Sequence, residues 1–164
     1  MSDYYILFKM IKLFRTDSGN KDFIELVRLL DAELAERDGE DHSFYDQFNA
    51  ITDLKHAVIA VENDIPVGCG AIKKLSDQSV EVKRMYVINN QRGKGIAGII
   101  LTELERWSAD LGYPKCRLET GKRQPEAISL YEKKGYLRIS NYGQYKGIEN
   151  SLCFEKLLNI ANKT

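Results

Sequence analysis

Apolar residues recur along the chain at two spacings, and these spacings predict a mixed order of helices and strands. Apolar positions three and four residues apart favour helices, whereas alternation and short β-branched runs favour strands. We expect helices from Phe23 to Leu34 between Asn20 and Gly39, from Ser43 onward, from the Gln91–Gly93 loop to Gly112, and over 125–134. We expect strands over 5–14, 56–61, 65–72, 80–88, 115–119, 136–140 and 151–156. The resulting order, β-α-α-β-β-β-α-β-α-β-β, is that of the α/β class.

Composition narrows the class of protein. The 164 residues correspond to one ordinary domain, and 43% hydrophobic residues suffice for a core. Lys and Arg together number 24, as do Asp and Glu, so no overall basic field favours nucleic acid or an acidic membrane. The apolar runs are too short for a membrane span, and the first residues lack the basic start of a signal peptide. We therefore expect a cytoplasmic domain.

The cysteines and histidines suggest no disulfide framework and no metal site. Cys69, Cys116 and Cys153 are odd in number and form no CxxC pair, so we interpret them as buried thiols of a reducing compartment. His42 and His56 have no metal-ligand spacing to each other or to these cysteines. We interpret both histidines as ordinary surface or loop residues and expect no metal.

A glycine-rich loop between a predicted strand and a predicted helix is the most informative stretch. It reads Gln91-Arg-Gly-Lys-Gly-Ile-Ala-Gly98. Backbone N–H groups at a helix N-terminus bind anions, and glycines let a ligand approach them closely. Arg92 and Lys94 add positive charge. A phosphate or pyrophosphate ligand is the leading interpretation, and a turn that only packs the helix on the sheet is the alternative.

The same loop also fits a dinucleotide-binding fingerprint. Gly93, Gly95 and Gly98 satisfy G-x-G-x-x-G, and Glu119 follows 21 residues after Gly98. However, Ile88–Arg92 separates the strand from the loop, and the strand alternates and carries charge where a buried apolar run is expected. About 45 residues after Glu119 are also too few for the rest of a doubly wound sheet. A nicotinamide-dependent oxidoreductase is therefore a remote alternative.

Two motifs together resemble the GNAT superfamily of acyl-CoA-dependent N-acetyltransferases. Arg92-Gly-Lys-Gly-Ile-Ala97 matches that family's phosphate loop, Gln/Arg-x-x-Gly-x-Gly/Ala. Ala127-Ile-Ser-Leu-Tyr131-Glu-Lys-Lys-Gly135-Tyr136 matches its later helix, and Tyr131 lies 39 residues after Arg92. Many members carry Asn three residues before that alanine. This chain has Gln124, whose amide can still bind a pantetheine or phosphate group.

The resemblance covers residues 5–156 and implies a fold and a donor site. The implied fold, over 1–164, is a single GNAT domain: a central mixed, mainly antiparallel sheet of about seven strands, flanked by about four helices. The implied donor is acetyl-CoA. Its pantetheine arm would pair with the backbone of Met85, Tyr86 and Val87, and its pyrophosphate would bind the loop of Arg92, Gly93, Lys94, Gly95, Ile96 and Ala97, with Gln124 as a further contact.

The resemblance also suggests the groups that move protons. An alkyl ammonium with a pKa near 10.4 must lose a proton before it attacks. Glu81, 11 residues before Arg92, has the spacing of the family's general-base glutamate, although a water relay or a solvated edge position is equally consistent. Tyr131 matches the general acid for the leaving thiolate; its alternative is a core-packing tyrosine with an exposed hydroxyl. A backbone N–H near Val87 would stabilise the oxyanion.

The acceptor is the least determined part. Glu119 would bind the substrate ammonium, serve as the alternative base, or simply face water. Tyr142 and Tyr145 in the loop 141–150 would line the acceptor pocket or only cap the sheet. We expect direct transfer in a ternary complex to a small amine or amino acid. The alternative is a catalytically silent acyl-CoA sensor, and a homodimer is possible.

Overall fold

The computed structural model of the chain describes residues 11–39 and 54–159. Within these residues there are seven strands: β1 Ile11–Thr16, β2 His56–Glu62, β3 Ile65–Lys74, β4 Ser79–Val87, β5 Lys115–Gly121, β6 Leu137–Ile139 and β7 Ser151–Leu157. The helices are α1 Lys21–Asp38, α2 Ile96–Asp110 and α3 Pro125–Lys133. Short 3₁₀ turns cover Asn89–Gln91 and Gly143–Tyr145. The helix predicted from Ser43 and the first six residues of the strand predicted over 5–14 lie outside the described residues.

The strands form one sheet in the order β1-β2-β3-β4-β5-β7-β6. The pairs β1–β2, β2–β3, β5–β7 and β6–β7 are antiparallel, whereas β4–β5 is parallel. The predicted mixed, mainly antiparallel sheet of seven strands is therefore confirmed. The parallel register joins only Ser79–Glu81 of β4 to Lys115–Arg117 of β5.

Contacts divide the chain into two compact units. The first holds the residues before 73 together with 83–104, and the second holds 73–82 together with everything from 105. The boundary falls within β3, β4 and α2, so these three elements contribute residues to both units. No helix within the described ranges is long and apolar enough to cross a membrane.

In the first unit, α1 begins and ends where the sequence predicts. The Asn20 side chain accepts hydrogen bonds from the backbone N–H groups of Asp22 and Phe23, at 2.9 and 3.1 Å, and caps the helix. Gly39 ends the helix with a φ of 55°. The apolar face of α1 joins β2 and β3 in a core of Phe23, Leu26, Val27, Leu54, Ala57, Ile59, Cys69 and Ala71.

In the second unit, an aromatic cluster joins α3 to β7. The Tyr131 ring lies 5.8 Å from that of Tyr136 and 6.3 Å from that of Phe154, measured between centroids. The Tyr136 hydroxyl donates to Glu105 Oε2 at 2.9 Å, and Lys156 Nζ lies 2.9 Å from the other oxygen of that carboxylate. The buried Glu105 carboxylate is thus both hydrogen-bonded and ion-paired, as a buried charge requires.

All three thiols are free and buried, as the sequence predicts. Burial raises the pKa of the Cys69 thiol to about 12, against the smaller opposing effect of the Arg84 charge. Burial likewise raises the pKa of Cys116 to about 11, although a hydrogen bond with Ser108 acts in the opposite direction. A thiol in an unfolded chain ionises near pH 8.5. Both thiols therefore bind their protons more tightly in the folded state.

The raised thiol pKa values predict a loss of stability at alkaline pH. Between about pH 8.5 and the folded pKa, the unfolded chain ionises while the folded chain does not. The free energy of unfolding should then fall by on the order of 1 kcal/mol per pH unit for each such thiol. Urea unfolding between pH 8 and 11 measures this slope. Cys69→Ala should give a shallower slope than the unchanged chain, and equal slopes would contradict the assignment of Cys69.

Candidate functional site

The glycine loop has the conformation that an anion-binding turn needs. After the 3₁₀ turn Asn89–Gln91, Gly93 and Gly95 adopt φ values of 80° and 83°, which disfavour residues with a Cβ. A Cβ built on either glycine meets no other atom within 4 Å, so backbone conformation and not crowding requires glycine. Helix α2 begins at Ile96, and the N–H groups of its first turn have no partner within the helix. The loop thus presents backbone donors on an open side.

The Arg92 side chain is turned back toward the protein. Its Nε donates to the Val87 carbonyl oxygen at 2.9 Å, and its guanidinium bonds the Glu33 carboxylate of α1, also at 2.9 Å. It also lies 5.6 Å from the centroid of the Tyr86 ring. Lys94 Nζ, in turn, donates to Gln91 Oε1 at 2.7 Å. Arg92 therefore connects the loop to the end of β4 and to α1. Its positive charge is paired with Glu33 and is directed away from the open side of the loop.

The segment Met85–Val87 follows an irregular residue in β4. Arg84 has a φ of 60°, a strained value for a bulky side chain within a strand. Its buried guanidinium pairs with Asp31 of α1, and its carbonyl oxygen accepts a hydrogen bond from the Cys69 thiol at 3.4 Å. Of the buried side-chain nitrogens and oxygens that the structure describes, only Arg84 Nε lacks a hydrogen-bond partner. The backbone of Met85–Val87 is thereby held at both ends by arginines bound to α1.

Tyr131 is buried on α3, with 6% of its surface exposed. Burial, and secondly the negative charge of Glu119, raise the pKa of its phenol above the ordinary value of about 10. The phenol therefore stays protonated and remains a proton donor at neutral pH. The ring contacts of Tyr131 with Tyr136 and Phe154 also agree with the alternative of a core-packing tyrosine. The contribution of Glu119 to the raised pKa indicates that the Glu119 charge acts on the Tyr131 phenol.

Glu81 does not occupy a solvated edge position. It lies on the interior strand β4 with 5% of its surface exposed, so that interpretation is wrong. The Tyr142 hydroxyl donates a hydrogen bond of 2.5 Å to Glu81 Oε2. Arg117, which pairs with Glu81 in the β4–β5 register, lies 5.5 Å from the centroid of the Tyr142 ring. The structure thus brings together a candidate base and a candidate acceptor residue that are 61 positions apart.

The remaining candidates of the second unit are Tyr145, Glu119 and Gln124. Tyr145 is buried and packs edge-on against Tyr142, with centroids 5.7 Å apart. Burial raises its pKa, and the charges of Glu81 and Glu119 raise it further. Glu119 is half-buried and lies opposite Cys153 in the β5–β7 register. Gln124 precedes α3, and its side chain does not cap the helix.

The histidine interpretation needs one correction. His56 is not a loop residue: it begins β2 opposite Ile72, where the predicted strand starts, and it is half-buried. Burial lowers its pKa. His42 lies outside the described residues. Among residues 11–39 and 54–159, no three His, Cys, Asp or Glu side chains assemble into a group that would hold a metal ion.

Sequence reasoning missed two organising residues. Asn141 Nδ2 lies within 3.1 Å of the backbone carbonyl oxygens of Tyr145, Ile148 and Ser151, and this fixes the loop that carries Tyr142. An Asn at the start of a polar loop is the available signal. Arg84 breaks the strand pattern because Lys83 and Arg84 are consecutive charges. That break in alternation is the available signal of the irregular backbone at Arg84, whose φ is 60°.

Comparison with known proteins identifies the family. The model of the acetyltransferase (GNAT) family matches residues 23–136, about 70% of the chain. An IAA acetyltransferase of Azospirillum brasilense is 35% identical over 102 residues, which cover 62% of this chain and 67% of that protein. The uncharacterized N-acetyltransferase YsnE of Bacillus subtilis is 32% identical over 101 residues, covering 60% of this chain and 67% of YsnE.

Solved structures share the fold. A Klebsiella pneumoniae protein provisionally assigned as an acyl-CoA N-acyltransferase superposes with a TM-score of 0.77 at 27% identity, covering 91% of this chain and 98% of that one. A GNAT family acetyltransferase from Elizabethkingia anophelis with acetyl-CoA bound gives a TM-score of 0.67 at 18% identity, covering 91% and 99%. With the family match over both motifs, these similarities establish that the chain belongs to the acetyltransferase (GNAT) family and is an acyltransferase.

Proposed function

We propose that this protein transfers the acetyl group of acetyl-CoA to the primary amine of a small molecule or amino acid, directly and within a ternary complex. The observation that carries the proposal is the loop 92–97. It has the family's phosphate-binding sequence, two left-handed glycines and the start of α2 directly after them. Acetyl-CoA in the Elizabethkingia anophelis structure supports the choice of donor. The proposal treats residues 1–164 as a single GNAT domain.

The donor-binding role is assigned mainly to backbone. The N–H groups of the loop from Arg92 through Ala97 hold the pyrophosphate, since helix N-termini favour negative charge. The backbone of Met85, Tyr86 and Val87 pairs with the pantetheine arm like an added strand. The N–H near Val87 serves as the oxyanion donor, and Gln124 supplies a further polar contact.

The proton transfers are assigned to two side chains. Glu81 takes the proton from the acceptor ammonium, so that the amine nitrogen attacks the thioester carbonyl carbon. The carbon–sulfur bond breaks as the amide forms, and Tyr131 gives its proton to the departing thiolate. The amine nitrogen loses its second proton in the same step, and that proton restores the Tyr131 phenol through solvent. Burial raises the pKa of Tyr131, so its phenol keeps its proton beyond the ordinary range. Glu119, with Tyr142 and Tyr145, is assigned to the acceptor side.

Two finer assignments accompany the proposal. The acceptor is a small amine, since balanced charges offer no attraction to a strongly charged macromolecule. The location is cytoplasmic, in keeping with three reduced, buried thiols. The resemblance leaves a monomer and a homodimer open as the oligomeric state. Size-exclusion chromatography with light scattering tests that state.

Substitution of Gly95 tests the phosphate assignment. Gly95→Asp places a strained φ and a negative charge in the loop, so the Kd for acetyl-CoA should rise at least about 10-fold by calorimetry. Gly95→Ala adds only the conformational strain and should weaken binding less. Gly112, with a φ of 92° and open space around its Cβ position, gives a matched control outside the loop. Gly112→Asp should leave the Kd unchanged, and equal affinities for all variants would refute the assignment.

Substitution of Tyr131 tests the general acid. Tyr131→Phe should lower kcat by about 10²- to 10³-fold and change the Kd for acetyl-CoA by less than about 2-fold. Tyr113→Phe, at a half-buried tyrosine after α2, should leave both unchanged. In the unchanged enzyme, kcat should show no alkaline decline from Tyr131 up to about pH 10, because its phenol keeps its proton beyond the ordinary pKa. An unaltered kcat in Tyr131→Phe removes this residue from the mechanism.

Release of CoA from acetyl-CoA tests the activity as a whole. Mass spectrometry would follow free CoA in the presence of tyramine, spermidine, glycinamide and L-lysine, each alone and pooled, with Tyr131→Phe as the control. Release with one amine, lost in the variant, supports the transferase and defines the acceptor class. Tight acetyl-CoA binding without release from any amine favours the acyl-CoA sensor instead.

A further inference from the structure

The hydrogen bond between Tyr142 and Glu81 is short and well shielded. The Tyr142 hydroxyl donates to Glu81 Oε2 at 2.5 Å, which is shorter than an ordinary hydrogen bond. Glu81 is buried and Tyr142 is half-buried. A hydrogen bond to a charged group is stronger in such surroundings than in water. One oxygen of the candidate base therefore has a fixed donor.

The Tyr142 ring is itself held by several contacts. The Arg117 guanidinium lies 5.5 Å from its centroid, and Arg117 Nε donates to Glu155 Oε2 at 2.7 Å. The strand register places these groups side by side, because Arg117 pairs with Glu81 on β4 and with Glu155 on β7. Tyr145 packs edge-on against the ring. The strand register therefore helps to position the Tyr142 ring, and the Tyr142 hydroxyl in turn positions the Glu81 carboxylate.

The phenol is also a suitable donor chemically. Burial raises the pKa of Tyr142 far above its ordinary value, and the negative charge of Glu81 raises it further. The hydroxyl consequently stays protonated and continues to donate throughout the neutral range. A phenol is neutral, so it orients the carboxylate and leaves its negative charge uncompensated. An arginine in the same place would compensate that charge.

We propose that Tyr142 is a positioning residue for Glu81: its hydroxyl holds Oε2 and so fixes the orientation in which the carboxylate takes the acceptor proton. This inference rests on the proposed function, in which Glu81 is the general base. It differs from a role in which Tyr142 only lines the acceptor pocket, since a lining residue acts on acceptor affinity. Arg117 supports the ring, and Glu155 holds Arg117 in place.

A double-mutant cycle separates these roles. Rates of CoA release would be measured for Tyr142→Phe, Glu81→Gln and the double variant. The amine would be the fastest of tyramine, spermidine, glycinamide and L-lysine, or water if none reacts, because Glu81 would then deprotonate the water that hydrolyses acetyl-CoA. Glu81→Gln should lower kcat by about 10²- to 10⁴-fold. Tyr142→Phe alone should lower kcat about 10-fold with the KM of the amine unchanged, and it should change kcat by less than about 2-fold when Glu81 is already Gln.

Two further variants keep the test decisive. Tyr113→Phe controls for the loss of a tyrosine hydroxyl and should match the unchanged enzyme. Glu155→Gln loosens Arg117 and should lower kcat by a smaller factor, again only when Glu81 is present. It replaces Tyr142→Phe if that variant does not fold.

The outcomes distinguish the two proposals. A normal kcat in Glu81→Gln, or no CoA release even with water, removes the base assignment and with it the positioning role. A slow Glu81→Gln combined with a normal kcat in Tyr142→Phe overturns the positioning role alone. Multiplicative losses in the double variant, or a raised KM for the amine with kcat intact, also overturn it and favour a pocket-lining tyrosine.

Discussion

Three charged side chains are buried on the single strand β4, and the partners they require govern much of the surrounding structure. Glu81, Lys83 and Arg84 are 5%, 8% and 5% exposed. A buried charge costs several kcal/mol unless it is paired or hydrogen-bonded. Arg84 is matched by Asp31 from α1, whereas Glu81 receives the Tyr142 hydroxyl from the loop between β6 and β7. Segments far apart in sequence are therefore tied to one strand by electrostatics as well as by apolar packing.

Helix α1 has a second role beside its contribution to the core. Its carboxylates Asp31 and Glu33 bind Arg84 and Arg92, the residues on either side of the segment that we assign to the pantetheine arm. The backbone of Met85–Val87 is thus positioned by the flanking residues Arg84 and Arg92 and not by the side chains of the segment itself.

The sequence predicted most element boundaries within two residues because local signals decide them. Asn20 and Gly39 bound α1 by capping and by left-handed conformation, and Gly135 follows α3 in the same way. The two central residues of the β2–β3 turn, Asn63 and Asp64, both have positive φ, as a tight hairpin turn requires. In contrast, the bond from Tyr142 to Glu81 depends on strand order and loop closure, which a single sequence does not encode locally. The inward turn of Arg92 likewise depends on Glu33, 59 positions away.

The three buried thiols also give the chain an internal reporter of opening. Thiol reagents attack the exposed thiolate form, and Cys69, Cys116 and Cys153 are shielded from solvent in the fold. A disulfide dye added to the working enzyme should therefore react at once with released CoA but with the protein only as fast as it unfolds. The absorbance change should therefore have two phases. The fast phase measures the CoA released by turnover, and the slow phase measures the rate at which the buried cysteines become exposed by unfolding.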